Sequence, residues 1–100
     1  MGEVANISKE ELKDRIRRDD RVQLLNVLTP EYYCLGMIPG SLRIPWDEVE
    51  DRTDELNQKN EVIVYDSGKE CDASRKAAEK LNLIGFNVKE YAGGIEEWKN

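Results

Sequence analysis

Short apolar runs recur along the chain and are separated by segments with helical spacing. The runs at residues 22–28, 61–65 and 87–91 predict strands, and residues 42–45 predict a shorter one. The first two long runs contain few polar residues, which is typical of strands that are buried on both faces. The chain therefore alternates between strands and helical segments from end to end.

The first helical segment begins with a capping box. Ser8 is followed three residues later by Glu11, and Ile7 and Leu12 stand at the positions of a hydrophobic staple. Leu12 and Ile16 mark an apolar face, and we expect the helix to end at residues 19–20.

Further helical segments follow each predicted strand. Thr29 predicts the cap of a short helical turn that begins at Pro30, and Asp47 with Glu50 predicts a second capping box. We expect that second box to begin a helix that turns Val49 and Leu56 to one side.

The last part of the chain predicts two more helices. Apolar side chains recur with helical spacing from Ala77 to Ile84, and Gly85 is suited to end that helix. The pair Gly93–Gly94 predicts a turn into a final short helix over residues 95–99.

This alternation predicts an α/β fold for residues 1–100 taken as one domain. Strands joined by helices form a parallel sheet that is covered by helices on both faces, here with four to five strands. Ligands of such sheets bind outside the carboxyl ends of the strands. We therefore expect a site at residues 28–29 and in the loop that follows Tyr65.

Charge and composition restrict the partners. The net charge of −6 argues against nucleic acid and against an anionic membrane as partners, and no apolar run is long enough to span a bilayer. The chain contains no histidine, which excludes a catalytic Ser–His or Cys–His pair within it. Two well-separated cysteines make a poor zinc site, so we expect neither a metal nor another cofactor.

Cys34 and Cys71 are the two cysteines. The first residues do not have the layout of a signal peptide, and nothing else in the sequence indicates secretion. We therefore expect both residues to be thiols in a reducing cytoplasm, with Cys34 as a packing residue.

Several separated motifs together resemble the rhodanese-like (sulfurtransferase) domain family. They cover the chain from about residue 7 to residue 98. In chain order they are L-N-V-L, P-E-Y-Y, G-M-I-P-G-S, V-I-V-Y, A-S-R-K-A-A-E-K-L and Y-A-G-G-I-E-E-W.

The resemblance implies a cysteine that carries sulfur as a persulfide directly after the central strand. Loop amides and the next helix N-terminus would surround it, and both attract negative charge. Carried over by position, that place is held by Asp66, which cannot form a persulfide. The loop also looks about two residues longer than in the simplest members, and Cys71 fits a second cysteine that some members have.

Two readings of this loop stay open. In the first, the domain is inactive or weakly active and binds a small sulfur-containing anion or a protein partner through residues 66–71. In the second, the domain is an active sulfurtransferase and Cys71 carries the sulfur. Besides Asp66 and Cys71, the residues expected to bind at the loop are Ser67, Gly68, Lys69, Glu70, Asp72 and Arg75.

Overall fold

The computed structural model describes residues 4–18 and 21–100, and these residues form one sheet of five parallel strands. The strands are β1 (Ala5–Asn6), β2 (Gln23–Asn26), β3 (Leu42–Arg43), β4 (Val62–Tyr65) and β5 (Val88–Tyr91). Their order across the sheet is β1-β5-β4-β2-β3, and every pair is parallel. The predicted α/β class and a parallel sheet of four to five strands are confirmed.

Helices connect the strands and cover the sheet. The α-helices are α1 (Lys9–Arg17), α2 (Ala73–Ile84) and α3 (Gly94–Trp98), and shorter 3-10 helices span Pro30–Leu35, Val49–Asp51 and Thr53–Glu55. The element order of the chain thus follows the alternation that the sequence predicts.

Side chains of successive strand residues alternate between two apolar clusters. Leu24 and Ile63 belong to the cluster that also contains Leu12 of α1 and Ile95 of α3. Their neighbours in sequence belong to a second cluster, with the alanines of α2. Since successive strand residues point to opposite faces, these two clusters show that helices pack on both sides of the sheet.

The ends of two helices confirm predictions from local sequence. Ser8 caps α1, and its side chain and that of Glu11 complete the capping box. Gly85 ends α2 in the left-handed conformation with φ 113°. The predicted end of α1 at residues 19–20 lies outside the described residues.

The prediction of a capped helix at Asp47 is wrong. The segment forms two 3-10 turns instead, and neither has a side-chain cap. Leu56 is already extended, with φ −112° and ψ 151°. It is buried in the same apolar cluster as Val49 and the alanines of α2, so tertiary packing rather than the local capping pattern sets the conformation of this segment. Val49 and Leu56 are nevertheless buried as expected.

Two further details differ from the sequence-based expectations. Thr29 precedes the 3-10 helix Pro30–Leu35, but its side chain makes no capping hydrogen bond. Strand β1 has only two exposed residues and no apolar pattern, and it is defined by pairing with Lys89 and Glu90 of β5. A strand of this kind leaves no signal in its own sequence.

Candidate functional site

Asp66 follows β4 directly and is fully buried. Its Oδ1 accepts a hydrogen bond from the amide of Gly68 at 3.1 Å, and its Oδ2 accepts one from the amide of Ser74 at 2.9 Å. The side chain therefore turns into the loop and takes two of the amides that could otherwise bind an anion.

The same carboxylate caps helix α2. Ser74 is the second residue of α2, where an amide has no partner within the helix. Asp72 stands at the usual capping position but its side chain makes no capping bond. A negative charge at a helix N-terminus is stabilising. Asp66 therefore caps α2, although it stands six residues before Asp72, the residue at the usual capping position.

The N-terminal turn of α3 holds the outer side of the loop. The amide of Ile95 donates to the carbonyl oxygen of Asp66 at 3.0 Å, and the amide of Glu96 donates to that of Ser67 at 2.9 Å. The loop backbone is thus fixed from the sheet side by a carboxylate and from the outside by a helix.

Gly94 makes this approach possible. It has φ +63°, and a Cβ at this position would lie 2.5 Å from the carbonyl oxygen of Asp66 and 2.7 Å from the amide nitrogen of Gly68. Both the backbone conformation and the space require glycine.

A cavity of about 380 Å³ opens beside the loop, and we refer to it as the loop cavity. Its neutral lining residues are Leu28, Tyr32, Ser67, Gly68 and Cys71. Leu28 lies just beyond β2, so the cavity stands at the carboxyl ends of two neighbouring strands, where the topology predicts a ligand.

The charged residues that line the loop cavity are all acidic: Glu70, Asp72 and Glu96. Asp72 faces Lys76 on the first turns of α2, with 3.6 Å between Oδ2 and Nζ. Among the described residues, Glu70 and Glu96 have no ion-pair partner. The cavity therefore has a negative rim.

The 3-10 helix Pro30–Leu35 forms the wall opposite the loop. Lys99 in the residues after α3 donates from Nζ to the carbonyl oxygen of Leu35 at 2.7 Å, which ties this wall to the helix that holds the loop. Tyr32 is 51% exposed, so half of its side chain remains available at the mouth of the cavity.

Cys71 is a free thiol of intermediate exposure that lines the loop cavity and packs against both apolar clusters. Its amide donates to the carbonyl oxygen of Gly68 in a tight turn. Cys34 is also free, but it is exposed on the 3-10 helix and does not line the loop cavity, although a packing role was expected for it.

The structure separates the basic residues of the predicted set from the loop cavity. Lys69 and Arg75 line a neighbouring cavity of about 240 Å³, together with Asn6 and Glu90. Glu70, Cys71 and Asp72 line both this cavity and the loop cavity. The sequence places Lys69 and Arg75 close to Asp66 along the chain, but neither lines the loop cavity; Lys69 also borders a third cavity of about 450 Å³, with Glu70 and Glu96.

Four residues of the site were not singled out for it by the sequence analysis: Tyr32, Ser74, Gly94 and Glu96. Gly94 and Glu96 belong to the motif Y-A-G-G-I-E-E-W, and Tyr32 belongs to P-E-Y-Y, so the motifs marked the segments without assigning these side chains to the cavity. Nothing in the local sequence of Ser74 indicates that its amide binds Asp66.

Two features are absent from residues 4–18 and 21–100. These residues contain no group of three or more cysteine, aspartate or glutamate side chains placed to hold a metal ion. They also contain no helix with the length and apolar character needed to cross a membrane.

A family model, a curated relative and a solved structure are all similar to this chain over most of its length. The family model described as rhodanese-like domain matches residues 8–100. A sulfurtransferase of Allochromatium vinosum is 31% identical over 99 residues, covering 95% of this chain and 88% of its own length. The crystal structure of the BH2092 protein from Bacillus halodurans superimposes with a TM-score of 0.87 at 32% identity, covering 95% of this chain and 71% of that one.

Another relative is considerably longer than this chain. YrkF of Bacillus subtilis strain 168, whose name gives it a provisional role as a sulfur carrier, is 34% identical over 97 residues. That match covers 95% of this chain but only 51% of YrkF. The chain thus spans about half of the length of this relative.

Proposed function

The chain belongs to the rhodanese-like domain family, and from that premise we propose that it is a member that carries no sulfur at position 66 and binds a protein partner through the loop of residues 66–72. The proposed location is the cytoplasm, which the two free thiols support.

One observation carries this proposal: the side chain at the end of β4 is a carboxylate, and it is already bonded to the amides of Gly68 and Ser74. A carboxylate cannot form a persulfide. It also adds negative charge to the space where the family resemblance implies a sulfur anion, and like charges repel.

Three features of the site support the binding of a protein partner. The cavity is kept at the carboxyl ends of β2 and β4, the loop is held on two sides, and Tyr32 presents an exposed ring at the mouth. Tyrosine is among the side chains enriched in protein interfaces. The negative rim argues against the other expected partner, a small sulfur-containing anion.

A second candidate function rests on Cys71. Its thiol is accessible and lines the same cavity, so sulfur could be carried five residues further along the loop. Glu70 and Asp72 flank it in sequence, and two neighbouring carboxylates repel an approaching anionic sulfur donor such as thiosulfate. We therefore rank active sulfur transfer by Cys71 second.

Intact mass spectrometry after incubation with thiosulfate, and separately with a small persulfide donor, tests the two functions. We expect no retained sulfur with thiosulfate and no preference for Cys71 with the persulfide. The chain supplies a matched control, because Cys34 is a second free thiol outside the cavity.

Variants Cys71→Ser and Cys34→Ser assign any added mass to one thiol. Equal labelling of both thiols by the persulfide reflects solution chemistry and supports the proposal. A gain of one sulfur on Cys71 alone, lost in Cys71→Ser and kept in Cys34→Ser, would overturn it in favour of the sulfurtransferase.

A further inference from the structure

We propose that Glu70 and Glu96 are specificity determinants of the loop cavity, which select a basic side chain of the partner protein and exclude anions; this inference rests on the partner-binding role proposed above. It names the chemistry of the occupant, a lysine or arginine presented by another protein.

The lining of the loop cavity carries charge of one sign. Every charged residue that lines the loop cavity is a carboxylate, and Glu70 and Glu96 have no ion-pair partner among the described residues. Lys69 and Arg75 do not line the loop cavity. They line the neighbouring cavity, which Glu70 also borders, and Lys69 shares a third cavity of about 450 Å³ with Glu70, Glu96 and Glu97. A cleft lined by one sign of charge attracts the opposite sign and repels its own.

The loop amides could carry the opposite preference. If no group inside the loop bonded to them, these N–H groups would attract an anion and would offset the acidic rim. Here the carboxylate of Asp66 accepts hydrogen bonds from the amides of Gly68 and Ser74, inside the loop. Two of the amides that could offset the acidic rim are therefore already bonded inside the loop.

The wall of the loop cavity combines apolar and charged side chains. Leu28 and the half-exposed ring of Tyr32 line the same space as the carboxylates. Lysine and arginine place an apolar stem against such a surface and keep the charged end near polar groups, and either cation can stack on a tyrosine ring. A cavity of about 380 Å³ suits one long side chain better than a whole secondary-structure element.

An NMR titration with short peptides tests the charge preference directly. The probes are three capped pentapeptides that differ only in the central residue, which is lysine, norleucine or glutamate, flanked by leucines. We expect the lysine peptide to shift the amide signals of Ser67, Gly68 and Glu96, the norleucine peptide to shift them less, and the glutamate peptide to leave them unchanged. Equal shifts with lysine and norleucine, or none with lysine at millimolar concentration, would contradict the proposal.

Charge-neutral variants identify the residues responsible. Glu96→Gln and Glu70→Gln should each weaken the binding of the lysine peptide about twofold to fivefold, as expected for partly exposed ion pairs. Glu79→Gln is the matched control, because Glu79 is an exposed residue of α2 that does not line the loop cavity. The same loss with Glu79→Gln would show a general effect of net charge and would refute the assignment.

The thiol of Cys71 supplies a second measurement inside the cavity. In a Cys34→Ser background, its thiolate attacks the sulfenyl sulfur of a methanethiosulfonate reagent, forms a mixed disulfide and releases methanesulfinate. We expect a trimethylammonium reagent to react faster than a sulfonate reagent, relative to the same ratio at Cys34 in Cys71→Ser. Glu96→Gln should reduce this preference, because Glu96 lines the loop cavity and not the neighbouring one.

The outcomes separate this inference from the proposed function. Site-specific uptake of sulfur on Cys71 would remove the proposed function, whatever the peptides do. If the protein takes up no sulfur and the cavity shows no charge preference, only the inference of a basic partner side chain fails, and the proposed function stands.

Discussion

The carboxylate of Asp66 accepts a hydrogen bond from the amide of Ser74, eight residues later in the chain, at 2.9 Å. This bond closes the loop between β4 and α2 and caps the helix from within. A position where the family resemblance implies a sulfur-carrying residue has therefore become part of the scaffold of this domain.

Removal of the Asp66 carboxylate should destabilise the domain. We expect Asp66→Ala to lower the free energy of unfolding by about 2–3 kcal/mol, because a buried helix cap and two hydrogen bonds to a charged group are lost. Asp66→Asn keeps one acceptor oxygen and should cost less. Urea unfolding measures both changes.

Asp72→Ala is the control for that experiment. Asp72 occupies the usual cap position but makes no capping bond, so we expect a change within about 0.5 kcal/mol. A larger cost for Asp72→Ala than for Asp66→Ala would show that the cap has been assigned to the wrong carboxylate.

Replacement of Asp66 by cysteine should create sulfur transfer at the loop. In a Cys71→Ser background, the thiolate at position 66 would attack the outer sulfur of thiosulfate, form a persulfide and release sulfite. The amides of Gly68 and Ser74 would then be free to stabilise the persulfide, since they belong to the main chain and remain in the variant. Intact mass should show one added sulfur, and cyanide should remove it as thiocyanate.

The acidic rim should slow that reaction. Adding Glu96→Gln to the Asp66→Cys variant should raise its rate with thiosulfate about twofold to fivefold, because one repelling charge at the cavity is removed. A folded Asp66→Cys variant that accepts no sulfur from any donor would show that the loop has lost more than its nucleophile.

Gly94 should be among the least replaceable residues of the chain. Gly94→Ala combines a positive φ with a Cβ placed 2.5 Å from the carbonyl oxygen of Asp66, so we expect a loss of at least about 3 kcal/mol. Gly40→Ala is the matched control, since Gly40 also has positive φ, of +88°, but open space around its Cβ. It should cost only about 1 kcal/mol or slightly more. Thermal unfolding separates the two effects, and equal costs would mean that crowding at the loop contributes nothing.

Stability should depend on pH through Glu61. Its carboxylate bridges Arg15 of α1 and Lys89 of β5, with 3.0 Å between Lys89 Nζ and Oε2. Burial opposes its charge, but hydrogen bonds from these two cations outweigh burial and lower the pKa of Glu61 below its ordinary value. A lowered pKa stabilises the fold at neutral pH, and this contribution is lost as the pH falls below about 4.5 and through the folded-state pKa.

Glu61→Gln tests that dependence. At pH 7 the variant should be less stable than the parent by about 1–2 kcal/mol, since two cations lose their shared partner. The difference should shrink when unfolding is measured between pH 5 and pH 3. A difference that stays constant over this range would contradict the assigned ion pairs.

The sequence predicted the elements wherever local patterns decide them. The capping box at Ser8 and the stop at Gly85 need only neighbouring residues, and both are confirmed. The segment after Asp47 shows the limit, because its capping pattern was overridden by the packing of Val49 and Leu56 in one apolar cluster. Strand β1 depends on its partner β5 and could not be read from Ala5 and Asn6 alone.

The sequence by itself determined the class of fold and the identity of the side chain at the end of β4, because hydrophobic periodicity and motif order are properties of the chain. Only the tertiary structure decided what surrounds that side chain. It brings Leu28, Tyr32 and Glu96 from three distant segments to one cavity and sends Lys69 and Arg75 to another. The physical reason is that the charge lining a cavity depends on distances across the fold. The packing of the sheet and α3 sets these distances, and separation along the sequence does not.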